Sequence, residues 1–319
     1  MLNDSVAGAL LPVVLLIAAG YLAGRRRWIQ PGSVKDLSNL IFLLLAPALL
    51  FRAMSTVDVG QLRFKAVSAY FIGAGLLFAL TMALRGFNRQ AAVLALANTY
   101  SNTVMIGIPL IGLAYGSDGM VLLLTLISLH SVVLLTSATV VLELAVAHEQ
   151  ALSSSGSGAR HSMARTVLRA VRNAIIHPVP IPIIAGLLFA QTGLVMPAWV
   201  DKPLALLGQA FGPVALVMVG ITLASTPIGS HWRGALTQAL VKNLLHPVVV
   251  AAIAWLLGVR GLPLAVMIVA AALPMGANVF LFSQRYRTSE ELVTASVAVS
   301  TALGLITVTF VMALAAKLY

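Results

Sequence analysis

The sequence is divided into apolar runs long enough to cross a bilayer. Ten candidate spans lie near residues 5–24, 35–54, 66–85, 91–114, 120–147, 173–194, 203–225, 234–257, 261–284 and 292–316. About 20 apolar residues in a helix cover about 30 Å of hydrocarbon. Only 9% of the 319 residues are charged, and 60% are hydrophobic. Soluble domains carry about 25% charged residues, so a water-soluble fold could not cover this much apolar surface. The expected class is an all-α polytopic membrane protein with ten transmembrane helices. Backbone groups in lipid must bond within their own helix, which excludes most other designs.

The charges lie between the runs. With the polar segment 148–172 placed in the cytoplasm, thirteen Lys and Arg fall in inside loops, among them Arg25, Arg26, Arg27, Arg85 and Arg89. Six fall outside, including Arg52, Lys202 and Arg260, and Lys242 lies within a span. The positive-inside rule then puts both termini on the extracytoplasmic side of a cell (inner or plasma) membrane. The net charge of +11 belongs to this loop bias and implies no nucleic acid. Arg25–Arg27 follow the first apolar run, whereas a signal peptide carries its positive charge before it, so a retained span is expected. The cluster is expected to anchor the inside end and to touch anionic lipid. The chain has no cysteine, which removes disulfides, thiolate metal sites and cysteine nucleophiles.

The segment 148–172 begins with the Ser/Gly-rich Ser153–Gly158 and continues with Arg160, Arg165, Arg169 and Arg172. It reads as a cytoplasmic linker between a first five-span unit, 1–147, and a second, 173–319. The units match at a nearly constant offset. Pro12 and Pro178, Gly20 and Gly186, Pro31 and Pro197, and Pro47 and Pro213 are each 166 apart, and Pro109 and Pro274 are 165 apart. Five is odd, so the second unit is inverted relative to the first. Such inverted repeats build many secondary transporters, whose sites form where interrupted helices meet.

The interruptions are in spans four and nine. Asn98–Gly116 holds Asn102, Thr103, Gly107 and Pro109 inside an apolar run, and the later segment holds Pro274, Gly276 and Asn278. Asn102 lies about 12 residues into its span, about 18 Å at the helical rise, and Asn278 lies at similar depth from the opposite face. Two helices broken near the midplane would each present free N–H groups and a partial positive charge. Such ends bind carboxylates and other anions. The competing reading is a pair of proline kinks with asparagines joining neighbouring helices.

Ionisable residues within spans are functional candidates because lipid makes them costly. Lys242 is placed either to attract an organic anion and balance helix ends, or to snorkel to the cytoplasmic face. His246 and Asn243 share its segment. His130 reads as a proton relay or as a neutral helix contact. Glu143 is expected to reach the inner interface, and His177, before Pro178, reads as structural. The other acids lie outside the spans, so no midplane carboxylate pair carries a cation. A Na⁺ site would have to use carbonyls and hydroxyls such as Thr103, Ser283, Ser296, Ser300 and Thr301. No Walker-type phosphate loop is present, and no cofactor is implied.

The runs Asn102–Leu110 and Ala272–Phe282, with Tyr286, Leu44–Phe51 and Lys242–Pro247, resemble the auxin efflux carrier family over nearly the whole chain. The short central segment resembles its bacterial branch. The resemblance implies crossed, broken helices at spans four and nine and a scaffold of spans one, two, six and seven. It also implies transport of organic acids, such as auxin in plants and malonate or malate in bacteria, and a homodimer. By the match of its motif, Asn102 takes the family's asparagine at the crossing. At Asn278 many plant members carry a second proline, so the cargo does not transfer.

The function expected is secondary transport of a small organic anion by alternating access, with H⁺ or Na⁺ as the candidate coupling ion. An intramembrane enzyme would need a nucleophile–base set at one depth. A channel would need charged rings or filter repeats. The sequence offers neither.

Overall fold

In a computed structural model the described residues are 2–57, 64–152, 180–226 and 229–318. They form helices joined by short turns, with no strand among the described residues. Most of the segment 148–172, with its arginines, lies outside the described residues, as do His177 and Pro178.

In chain order, α1 is Leu2–Arg25. Helix α2, Val34–Leu40, passes through a wide turn at Ile41–Leu45 into α3, Ala46–Met54. Helices α4 and α5 are Phe64–Arg85 and Arg89–Thr99. A second wide turn, Thr103–Gly107, leads into α6, Ile108–Leu152. Then come α7, Pro180–Gln191, and α8, Ala198–Ser225. Helix α9, Trp232–Leu240, passes through a third wide turn at Val241–Leu245 into α10, His246–Leu256. The last three are α11, Gly261–Ala272, α12, Asn278–Arg285, and α13, Glu290–Ala315.

Six of these helical stretches are long and apolar enough to cross a membrane; Leu10–Arg25, Ile181–Gln191 and Gly261–Ala272 are shorter apolar helices. Helix α6 bends at Gly116, whose φ of 61° and ψ of −151° lie outside the helical region. It therefore joins the second half of the fourth predicted span to the fifth. Glycine reaches this conformation without a Cβ penalty.

The wide turns share a local cause. Pro47, Pro109 and Pro247 each stand second in the helix that follows. A proline ring collides with the carbonyl four residues back and removes a donor. An i→i+5 turn opens the backbone there and lets the span continue.

Helices α1, α3, α7 and α8 pack largely on one another, and α4, α5, α10, α11 and α13 form a second set. Contacts in the first set rely on glycine. A Cβ on Gly20 would collide with the Val217 carbonyl, and one on Gly220 with the Ile17 carbonyl. A Cβ on Gly186 would lie 2.5 Å from the Phe51 carbonyl. Dispersion between close backbones holds such helices where the hydrophobic effect does not act. Arg52 clamps α3 to α8 with paired bonds to Asp201, at 2.6 and 3.2 Å.

In the second set, Ala91–Thr99 of α5 and Leu264–Ala272 of α11 are buried all round. A helix apolar on every face belongs inside a bundle. These two helices carry the chain to the two breaks.

Candidate substrate site at the helix crossing

Helix α5 ends at Thr99, Tyr100 is extended, and Ser101 bridges before Asn102 caps the turn at Thr103. Helix α11 ends at Ala272, and the chain stays open until Asn278. The two breaks meet as an antiparallel bridge between Ser101 and Met275. Asn102 N donates to the Pro274 carbonyl at 2.8 Å, and Gly276 N to the Tyr100 carbonyl at 2.9 Å. Backbone groups freed by breaking two helices thus bond across the crossing, as burial requires.

Small residues permit the approach. A Cβ on Gly276 would lie 2.7 Å from the Tyr100 ring, and one on Gly107 2.8 Å from Leu273. Pro274 packs on Gly304 of α13. Pro109 stands second in α6, seven residues beyond Asn102. The break at 100–102 is held by the backbone hydrogen bonds across the crossing and by an asparagine cap: Asn102 Oδ1 accepts from Met105 N at 3.2 Å.

A cavity of about 260 Å³ opens beside the crossing. Asn102, Thr103, Gly276, Asn278 and His130 line it; Gly107, Pro109, Pro274, Lys242 and His246 are not among its lining residues. Tyr100, Ser101 and Ser131 belong to its wall without having been singled out from the sequence, as do Ser38 and Phe42 from α2 and its turn. The polar wall is connected. Asn278 Nδ2 donates to Tyr100 Oη at 2.9 Å, and Tyr100 Oη lies 2.8 Å from Ser131 Oγ. The His130 ring lies 4.6 Å from the Tyr100 ring, centroid to centroid. Its Nε2 is 3.2 Å from Tyr70 Oη, which is 2.9 Å from Ser101 Oγ. The adjacency of Tyr100 and Ser101 to Asn102 in one polar interruption was a usable signal. Tyr70 had none, being distant in sequence and ordinary in a helix, and Ser131 had only its place beside His130.

No Asp, Glu, Lys or Arg is among the described residues that line this cavity. Its polar surface is made of neutral donors and the start of α12. Ala277 caps that helix without a side-chain hydrogen bond, so its first N–H groups carry the partial positive charge of a helix N-terminus.

Lys242 is fully buried, so it does not snorkel. Its Nζ donates to the carbonyls of Ala271 and Leu273, both at 2.7 Å. These carbonyls are at the C-terminal end of α11, where a helix lacks partners and favours a cation. Asn243 supports the same break. Its Oδ1 accepts from Ser300 Oγ at 2.7 Å, and that oxygen accepts from Met275 N at 2.9 Å. The wide turn at Val241–Leu245 thus holds the break with two consecutive side chains. His246 is fully buried, edge-on to Tyr70 at 5.3 Å. Glu143 accepts from Tyr286 Oη at 2.8 Å near the end of α12.

The chain belongs to the membrane transport protein family, whose profile matches residues 5–312; this is the auxin efflux carrier family that its motifs resemble. The family is one of transporters rather than enzymes. The chain is 28% identical over 313 residues to the "Putative malonate transporter" of Rhizobium meliloti (strain 1021), covering 95% of this chain and 94% of the relative. It is 23% identical over 340 residues to "Auxin efflux carrier component 8" of Arabidopsis thaliana, with 92% of each covered. Identity to the "Uncharacterized transporter YfdV" of Escherichia coli (strain K12) is 25% over 303 residues, again with 92% of each covered.

Proposed function

We propose that the protein is a secondary carrier of a small carboxylate anion, held in the cavity beside the crossing and exposed alternately to the two sides. One observation carries this reading. The breaks in two helices bond to each other, and the start of α12 opens on a cavity whose polar wall is neutral and donor-rich. A carboxylate there would accept from the second N–H of the Asn278 amide and from the hydroxyl of Tyr100 or Ser131, with the positive end of α12 beside it.

Ten spans in two inverted repeats fit the contacts. The contact of Gly20 with Val217 becomes, 166 residues on and back respectively, that of Gly186 with Phe51. Around the crossing the offset is 172. Tyr70 bonds Ser101 in the first half, and Lys242 bonds Leu273 in the second. With the loop charges inside, Trp28 and Trp232 fall at the inner interface, and Trp199 and Trp255 at the outer one. All four are exposed, as an aromatic belt requires. The cavity, lined by Ser38 and Phe42 from the inner half of span two, then opens to the cytoplasm.

The test is a thermal-shift and binding panel of malonate and other mono- and dicarboxylates on purified protein, with uptake into proteoliposomes. At least one carboxylate should bind. Asn278→Ala should weaken it about tenfold, the loss of about one hydrogen bond to a charged group. Binding unchanged in both Asn278→Ala and Asn102→Ala would remove the crossing from the mechanism.

A further inference from the structure

The cavity presents a puzzle of charge. An anion would enter a wall without a fixed cation, because Lys242 is turned onto the end of α11 and does not line it. Among the described residues the wall contains two ionisable side chains, Tyr100 and His130. Of these, imidazole is the group that gains a positive charge near neutral pH.

Resting on the carrier reading above, we propose that His130 takes up a proton together with the carboxylate, so that anion and proton cross as a pair. The proton comes from water on the side to which the cavity is open, bonds to an imidazole nitrogen, and leaves to water on the other side with the anion. His130 Nε2 faces Tyr70 Oη at 3.2 Å, and the ring leans on Tyr100. Tyr70 Oη, which both donates and accepts, can turn its proton toward Ser101 or toward the imidazole, so it serves either state of the ring. The path Ser101–Tyr70–His130 links the ring to the bridge between the two broken helices. A change of charge on the ring is therefore felt at the element that must move.

The charged and titratable groups facing His130 are Tyr70 on α4, Tyr100 in the first break, and Lys242 and His246 on the α9–α10 segment. No acid is among them. An anion in the cavity favours a positive charge on the ring. Proton uptake is thereby tied to occupancy, and by linkage the anion binds better where the proton is available.

Binding of malonate, or of whichever carboxylate in the panel binds best, is measured by calorimetry in two buffers of different ionisation enthalpy. The pH is set where the free ligand is fully ionised. The wild-type protein should take up close to one proton per anion. Its affinity should fall by up to about tenfold per pH unit as pH rises above the range in which the bound imidazole is charged. His130→Gln should still bind, more weakly, with neither proton uptake nor that slope. Binding by the wild-type protein without proton uptake and without the slope overturns the proposal and leaves the carrier reading intact. Uptake retained in His130→Gln also overturns it, by assigning the proton to another group. Absence of binding by every carboxylate overturns both. The affinity slope needs only the wild-type protein, so the test does not depend on the variant folding.

Discussion

At the scale of single residues, the crossing separates groups that hold the chain from groups that face the cavity. Lys242 belongs to the first. Its Nζ satisfies two carbonyls at the end of a fully buried helix. Lys242→Met would leave both unpaired, at roughly 1–3 kcal/mol each. A lower unfolding temperature and an uptake defect repaired in part by raised ligand concentration are the expected outcomes. Unchanged thermal stability would remove Lys242 from the support of the break. Gly276 is constrained by space rather than charge: a Cβ there meets the Tyr100 ring at 2.7 Å. Gly276→Ala should push the breaks apart and reduce carboxylate affinity more than it lowers the unfolding temperature, with overpacking costing about 1–3 kcal/mol. Normal affinity in that variant would show that the crossing tolerates a wider approach.

At the scale of elements, broken and wide-turned helices do the positioning, while close glycine contacts hold the helices around them. The turns at Ile41–Leu45 and Val241–Leu245 let two spans continue past proline, and the second aims Lys242 and Asn243 at the crossing. Helices α1 and α8 meet where Gly20 and Gly220 face opposing backbone. Gly220→Leu should prevent this packing, giving little folded protein in detergent by size-exclusion chromatography. Gly75 on α4 stands in open space, where an added Cβ would meet nothing within 4 Å. Gly75→Ala should fold normally and gain about 0.5–1 kcal/mol from helix propensity. Equal behaviour of the two variants would deny the close α1–α8 contact its role.

At the scale of the whole molecule, sidedness is open to direct measurement because the chain has no cysteine of its own. Ser38 lines the crossing cavity, and Ser117 lines a second cavity with Arg52, Thr56 and Asp201 near the opposite end of the bundle. In the orientation proposed, a cysteine at 38 should react with a membrane-impermeant thiol reagent from the cytoplasmic side. One at 117 should react from the outside. A bound carboxylate should change the two rates in opposite directions if the cavities open alternately. Labelling of both positions from one side would overturn the orientation.

Much of this protein was legible in the chain of residues alone. The apolar runs and scarce charges dictate a bundle in lipid, and the interruptions at Asn98–Asn102 and Pro274–Asn278 mark where two helices could not continue. Those are local properties: apolar length, loop charge, and residues unable to extend a helix. The tertiary structure decided what each interruption does. It paired residue 101 with 275, because the register is set by hydrogen bonds between freed backbone groups. It turned Lys242 away from the cavity onto the end of α11, because unpartnered buried carbonyls hold a donor more firmly than open space does. It brought Tyr70, Tyr100, His130 and Ser131 together, two hydrogen-bonded sets joined by a ring contact, a meeting of side chains from three separate stretches that only the packing of helices can arrange.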